Sequence, residues 1–213
     1  MSLMAKREEN QQFPPIEGGT YQAVCYSVID FGTQHNDYYD KDMRQVCITW
    51  EIPELRIQIE RNGEKLNLPR AISKTYTLSL GEKSHLYRDL VAWRGREFTQ
   101  NELIGFDILT VIRANCILQI INTTKGDKTY ANIAAVAKIM FNMRKLEPEN
   151  PIAIFSMADG LEIPQDIPDW QKDIIRKSRE YQAVQNAKSN PALKKAQEDY
   201  ASEPELDNDD IPF

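Results

Sequence analysis

Residues 71–78 read Ala71-Ile72-Ser73-Lys74-Thr75-Tyr76-Thr77-Leu78, and residues 84–93 read Ser84-His85-Leu86-Tyr87-Arg88-Asp89-Leu90-Val91-Ala92-Trp93, with Gly95 just beyond. The first stretch is rich in β-branched and aromatic residues and predicts a strand. In the second, Leu86, Leu90 and Trp93 recur at helical spacing and Gly95 stands where a helix stops, so one short helix is expected. What a strand leading into a lone helix means depends on the strands to either side.

Upstream, residues 19–31 alternate Tyr21, Ala23, Cys25 and Ser27 against Gln22, Val24, Tyr26 and Val28. Both faces carry apolar residues, as in a barrel strand near the core. The polar stretch 33–41 (TQHNDYYDK) predicts a loop, and Val46, Ile48 and Trp50 mark a second strand over 44–52, so the two strands form a hairpin with a long tip. Leu55, Ile57 and Ile59 then alternate with Arg56, Gln58 and Glu60, turn at Asn62-Gly63, and resume at Leu66 and Leu68, which reads as a small β-arm. Downstream, Thr99 with Glu102 three residues on fits a capping box, and strands follow over 116–122 and 130–139, joined by 123–129. Three strands, a helix and two strands predict a mainly β chain built on a five-stranded OB-like barrel, with a β-arm insertion and the helix between strands 3 and 4. A Rossmann layout needs several crossover helices that this pattern lacks.

Beyond residue 145 strand formers thin out, and Pro148, Pro151, Pro164 and Pro168 punctuate a polar chain. Asp166 is placed to cap a helix with Pro168 in its first turn, with Trp170, Ile174 and Tyr181 on one face, and a second helix is expected from Asn190-Pro191 to Tyr200. The first of these is expected to pack back on the barrel or on a sister subunit. The domain reading is therefore a flexible N-terminus (1–15), an OB-like domain (16–145), a partly helical extension (146–200) and an acidic tail (201–213).

That tail holds Glu203, Glu205, Asp207, Asp209 and Asp210 and no base, against a net charge of −6 for all 213 residues. The first 200 residues are thus close to electroneutral, and the low pI reports the tail more than the body. With 41% hydrophobic residues the chain can bury one good core. No apolar run approaches the ~18 residues of a membrane span, and no apolar export segment follows the start, so a cytoplasmic location is expected.

Single-strand binding asks for aromatic faces on which bases stack and for bases that track phosphates. Candidates are Tyr38, Tyr39, Lys41 and Arg44 at the first hairpin tip; Arg56, Arg61, Lys65, Arg70, Lys74 and Tyr76 on the arm and third strand; and Lys125, Lys128 and Tyr130 at the last loop. Each has a plainer reading. Arg56, Arg61 and Lys65 interleave with Glu54, Glu60 and Glu64 as in a self-paired solvated arm, Lys125 and Lys128 flank Gly126 as in any hairpin turn, and Tyr76 fits either strand-face display or core. Trp50 and Trp93 read as core.

Catalysis finds no motif: there is no Gly-rich phosphate loop, no G-x-S-x-G and no Cys/His frame, so no enzyme and no cofactor are expected. Cys25, Cys47 and Cys116 are far apart in apolar runs and read as buried reduced thiols, His35 and His85 stand alone, and Asp37, Asp40 and Asp42 lack the spacing of a calcium loop.

The chain ends Asn208-Asp209-Asp210-Ile211-Pro212-Phe213. An acidic cluster before an apolar plug and a carboxylate suits a partner pocket that buries the ring and pairs the charges. This tip resembles the C-terminal peptide of bacterial single-stranded DNA-binding proteins, and the wording of residues 73–80 and of Trp93-Arg94-Gly95-Arg96 is similar to replication proteins of bacteriophages and prophages. The resemblance implies a barrel that coats single-stranded DNA in replication, recombination and repair, in the bacterial host cytoplasm if phage-encoded, and it allows a homo-oligomer. It assigns Asp209, Asp210, Ile211, Pro212 and Phe213 to docking helicases, primases, nucleases or recombination mediators. Two departures stand out: Asn208 replaces a usual third aspartate, and a helix-prone extension replaces a Gly/Gln/Pro-rich linker. The rival readings are a protein-interaction adaptor that uses the same tip, and a strand-annealing recombination protein.

Overall fold

The computed structural model describes residues 13–61 and 63–189, so the expected 190–200 helix, the acidic tail and its tip lie outside the described residues. The elements are β1 (Gly19–Asn36), β2 (Lys41–Arg61), β3 (Glu64–Thr77), α1 (His85–Arg94), α2 (Gln100–Ile104), a 3₁₀ turn (Ile108–Val111), β4 (Asn115–Lys125), β5 (Lys128–Ala137), β6 (Ala153–Phe155), α3 (Asp169–Arg176) and α4 (Arg179–Ser189). The protein is mainly β, a curled antiparallel half-barrel of five strands with few helices. The strands lie in the order β3-β2-β1-β4-β5, and β6 also pairs with β1. The chain divides into two compact units, residues 1–28 with 47–154 and residues 29–46 with 155–213.

In the first unit, β1 pairs antiparallel with β4 from Gly19 opposite Ile120 to Val24 opposite Asn115. β4 pairs antiparallel with β5 from Ile117 opposite Ala137 to Lys125 opposite Lys128, with a register slip between Gln119 and Ile120. The alternation read in the sequence puts Ile48, Trp50, Ile52, Leu118 and Ile120 inside. Ser84 caps α1 by accepting the Tyr87 N–H, Gly95 ends it in the left-handed conformation at φ 68°, and Leu86, Leu90 and Trp93 form its buried stripe. Trp93 meets Trp50 with ring centroids 5.5 Å apart and donates its indole N–H to the Asn115 carbonyl at 2.8 Å. Cys25, Cys47 and Cys116 are free and buried, and burial pushes the Cys25 thiol up to about 12.

Three expectations need correction here. The β-arm is no separate insertion: β2 runs unbroken through Pro53 to Arg61 and β3 through Pro69, so the arm is the outer part of one hairpin. β3 lies at an end of the main strand order, where a strand tolerates the N–H that Pro69 lacks. The first loop is also shorter, because β1 continues to Asn36 and the Asn36 side chain closes the turn by accepting the N–H groups of Tyr38 and Tyr39 at 3.1 Å each. Finally, the half-barrel grips the chain past residue 145. The Glu51 carboxylate, wholly buried, accepts the N–H of Glu149 at 2.6 Å and of Asn150 at 2.9 Å, while Asn115 holds the backbone of Leu146 through both its amide atoms.

In the second unit the outer β1–β2 hairpin packs with the C-terminal extension. Asp30 is buried and accepts from Gly32 N–H at 2.9 Å, from Met157 N–H at 3.3 Å and from Arg44 at 2.6 Å. Glu180 of α4 accepts the Thr33 N–H and hydroxyl at 2.8 and 2.6 Å. α3 turns Gln171 and Ile175 inward, whereas Trp170 stays 49% exposed with its ring edge-on to Phe31 at 6.2 Å. Asp166 does not cap this helix: Pro168 occupies the cap position and supplies no side-chain hydrogen bond.

Candidate nucleic-acid interface

The candidate side chains divide into those free to meet a ligand and those already engaged. At the β1–β2 turn, Tyr38 and Tyr39 are 86% and 62% exposed, with ring centroids 4.8 Å apart and planes at 87°. Two large rings in water at a turn offer stacking faces, and Lys41 stands exposed beside them. The same turn carries an electrostatic counterweight. His35 Nδ1 lies 3.0 Å from Asp42, and Nε2 lies 3.6 Å from both Asp37 and Asp40. The hydrogen bond to Asp42 holds the imidazole pKa above its ordinary value, so below neutral pH a cation partly masks three carboxylates.

At the β4–β5 turn, Lys125 and Lys128 face each other in register around Gly126, which adopts φ 59°, and both are exposed. Tyr130 is 46% exposed and shares a shallow groove with Arg70 of β3 and with Phe13. Arg70 itself is half-buried and donates to the Pro14 carbonyl at 2.7 Å. The fold thus brings together Arg70 and Tyr130, some sixty residues apart in sequence.

Four candidates are spent on internal partners. Arg56 forms a two-pronged pair with Glu149 at 2.7 and 3.0 Å and also reaches the Asn67 carbonyl. Arg44 is held by Asp30, which raises its pKa further. Lys74 and Tyr76 both donate to Asp89 of α1, at 2.7 and 2.8 Å. Tyr76 is 3% exposed, and burial followed by the nearby Asp89 charge pushes its phenol far up. Display of its ring on the strand face is therefore corrected to a place in the core, because a carboxylate on α1 supplies the partner that a buried phenol needs. Lys65 is exposed on β3; the side chain of Arg61, like the tip residues Asp209 to Phe213, lies outside the described residues.

The sequence reading passed over a further basic surface. Residues 138–145 (KIMFNMRK) carry Lys138, Arg144 and Lys145 and no acid. Lys138, Ile139 and Lys145 line a cleft of about 500 Å³, with Arg94, Arg96 and Arg113 on its wall and Trp93 and Phe106 among its apolar residues. Glu102, also on the wall, pairs with both Arg94 and Arg96, and the Arg94 guanidinium lies 4.2 Å from the Phe98 ring centroid and 5.1 Å from that of Phe106. The signal available in the sequence was the run of bases around one aromatic with no acid between them.

Among the described residues no helix is long and apolar enough to cross a membrane, and no group of three or more His, Cys, Asp or Glu side chains is placed to hold a metal ion. No protein-family model and no curated protein matches the chain.

Proposed function

We propose that this chain is a non-catalytic single-stranded DNA-binding protein whose OB-like barrel coats exposed strands during replication, recombination or repair and whose C-terminal tip recruits replication proteins. The observation that carries this reading is the position of the free candidates. Tyr38, Tyr39 and Lys41 stand at the β1–β2 turn and Lys125, Lys128 and Tyr130 at the β4–β5 turn, the two loops with which OB barrels hold oligonucleotides. The strand order, with β1 between β2 and β4 and α1 between β3 and β4, supports an OB-like arrangement of the half-barrel. The ending Asp209-Asp210-Ile211-Pro212-Phe213 supports the recruiting role.

A fluorescently labelled oligo-dT titrated with the full chain tests the reading: single-strand binding should weaken steeply with salt and exceed binding to a duplex of the same length. The engagement of Arg44, Arg56 and Lys74 by carboxylates favours one alternative, an adaptor whose barrel binds a protein. That alternative requires a folded barrel and capture by the tip, with no salt-dependent affinity for oligonucleotides.

A further inference from the structure

The segment between β5 and Glu149 is short, basic and held at several points. Lys138 donates its N–H to the Ala92 carbonyl of α1 at 3.1 Å, the Arg144 carbonyl accepts from Gln22 at 2.6 Å, and Leu146 is held at both backbone groups by Asn115 at 2.7 and 2.8 Å. Between these anchors the chain makes a tight turn, closed by the Met143 N–H on the Met140 carbonyl at 3.1 Å. Phe141 sits at its corner with 108% relative exposure, and Met140 beside it is 64% exposed. A fully solvated phenylalanine on a turn clamped from both sides does not serve the core.

We infer that this turn is an additional seat for single-stranded nucleic acid, with one base stacked on Phe141 and neighbouring phosphates met by Lys138, Arg144 and Lys145. The inference rests on the single-strand reading and extends it to a segment outside the β4–β5 loop. Residues 138–145 hold three bases and no acid, and the neighbouring Glu147 is paired with Arg113 at 3.5 Å, so the turn carries a local positive field on a chain whose net charge is −6. The ring needs only one flat partner, and every base has a π-face. Because the backbone around the turn is already fixed, stacking there costs little ordering entropy. In the cleft next to the turn, Arg96 and Arg113 are already paired with Glu102 and Glu147, so the seat rests on the turn's own three bases.

The test is a titration of labelled oligo-dT with the full chain as wild type, Phe141→Ala, Phe141→Trp and Lys145→Ala, at several salt concentrations and with a duplex control. Phe141→Ala should weaken single-strand binding roughly 5- to 150-fold while leaving the melting temperature unchanged, since the ring supports nothing in the fold. Phe141→Trp should restore binding, and its added fluorescence should be quenched by the oligonucleotide. Lys145→Ala should flatten the slope of log affinity against log salt by about 0.7, the loss of one phosphate contact. If the wild type binds single strands and Phe141→Ala binds equally well, this seat is overturned and the proposed function stands. If Phe141→Ala instead abolishes concentration-dependent self-association without affecting DNA, the turn is a protein contact and the inference fails. If the wild type shows no single-strand affinity, both the seat and the reading beneath it fall.

Discussion

Glu102 shows how one side chain can organise a turn and gate its own acid sensitivity. It closes the capping box of α2 by accepting the Thr99 N–H at 2.8 Å, and it pairs with Arg94 and Arg96. Its hydrogen bond from Arg96, then that from Thr99, hold the carboxyl well below the usual carboxylate range. A depressed folded-state pKa contributes stability that is present above the unfolded value of 4.5 and is lost as pH falls through the folded value. Thermal melts of Glu102→Gln and wild type from pH 7 to pH 2 should differ at neutral pH and converge as acid protonates the wild-type carboxyl. A gap of constant size across that range would contradict this account. His35 has the opposite sign: its raised pKa makes any contribution of the Asp37, Asp40 and Asp42 contacts greatest below the unfolded value of 6.5 and absent once pH rises past the folded value.

At the scale of elements, the ends of α1 and the hold on the chain after β5 decide the fit of the half-barrel. An alanine at Gly95 would sit at φ 68° with its Cβ 2.7 Å from Lys138 Cδ; the lysine stem can move, so most of the cost is the left-handed backbone, about 1–2 kcal/mol by urea denaturation. An unchanged midpoint would mean that the helix end rearranges freely. Glu51→Ala removes the acceptor for Glu149 N–H, Asn150 N–H and the Asn150 side chain inside the protein, and should cost about 3 kcal/mol or more in the same assay. A loss below about 0.5 kcal/mol would show that water satisfies those donors. These elements also show what was legible in sequence. The Gly95 stop and the Thr99/Glu102 capping box were readable because each is settled within a few residues. The buried Trp50, Trp93 and three cysteines followed from apolar alternation and helical spacing. The pairing of Arg56 with Glu149, 93 residues away, has no periodic signature, and neither has the burial of Tyr76 against Asp89. The continuity of β2 and β3 was hidden by prolines that usually punctuate strands. Phe141 was missed because an apolar residue just past a strand reads the same whether it turns inward or out.

For the whole molecule, charge is distributed rather than massed. Acids concentrate in the tail, bases in small groups at turns, and several cations of the body are matched by carboxylates. Binding to a polyanion must then depend on the few unengaged bases and on stacking, so affinity should rest on aromatic residues more than on total charge. The measurement that tests the central claim most directly is fluorescence anisotropy of labelled oligo-dT titrated with the full chain at low and moderate salt, beside a matched duplex. The account predicts tight, salt-sensitive binding to the single strand and markedly weaker binding to the duplex. Equal affinity for both, or none for either, would contradict it.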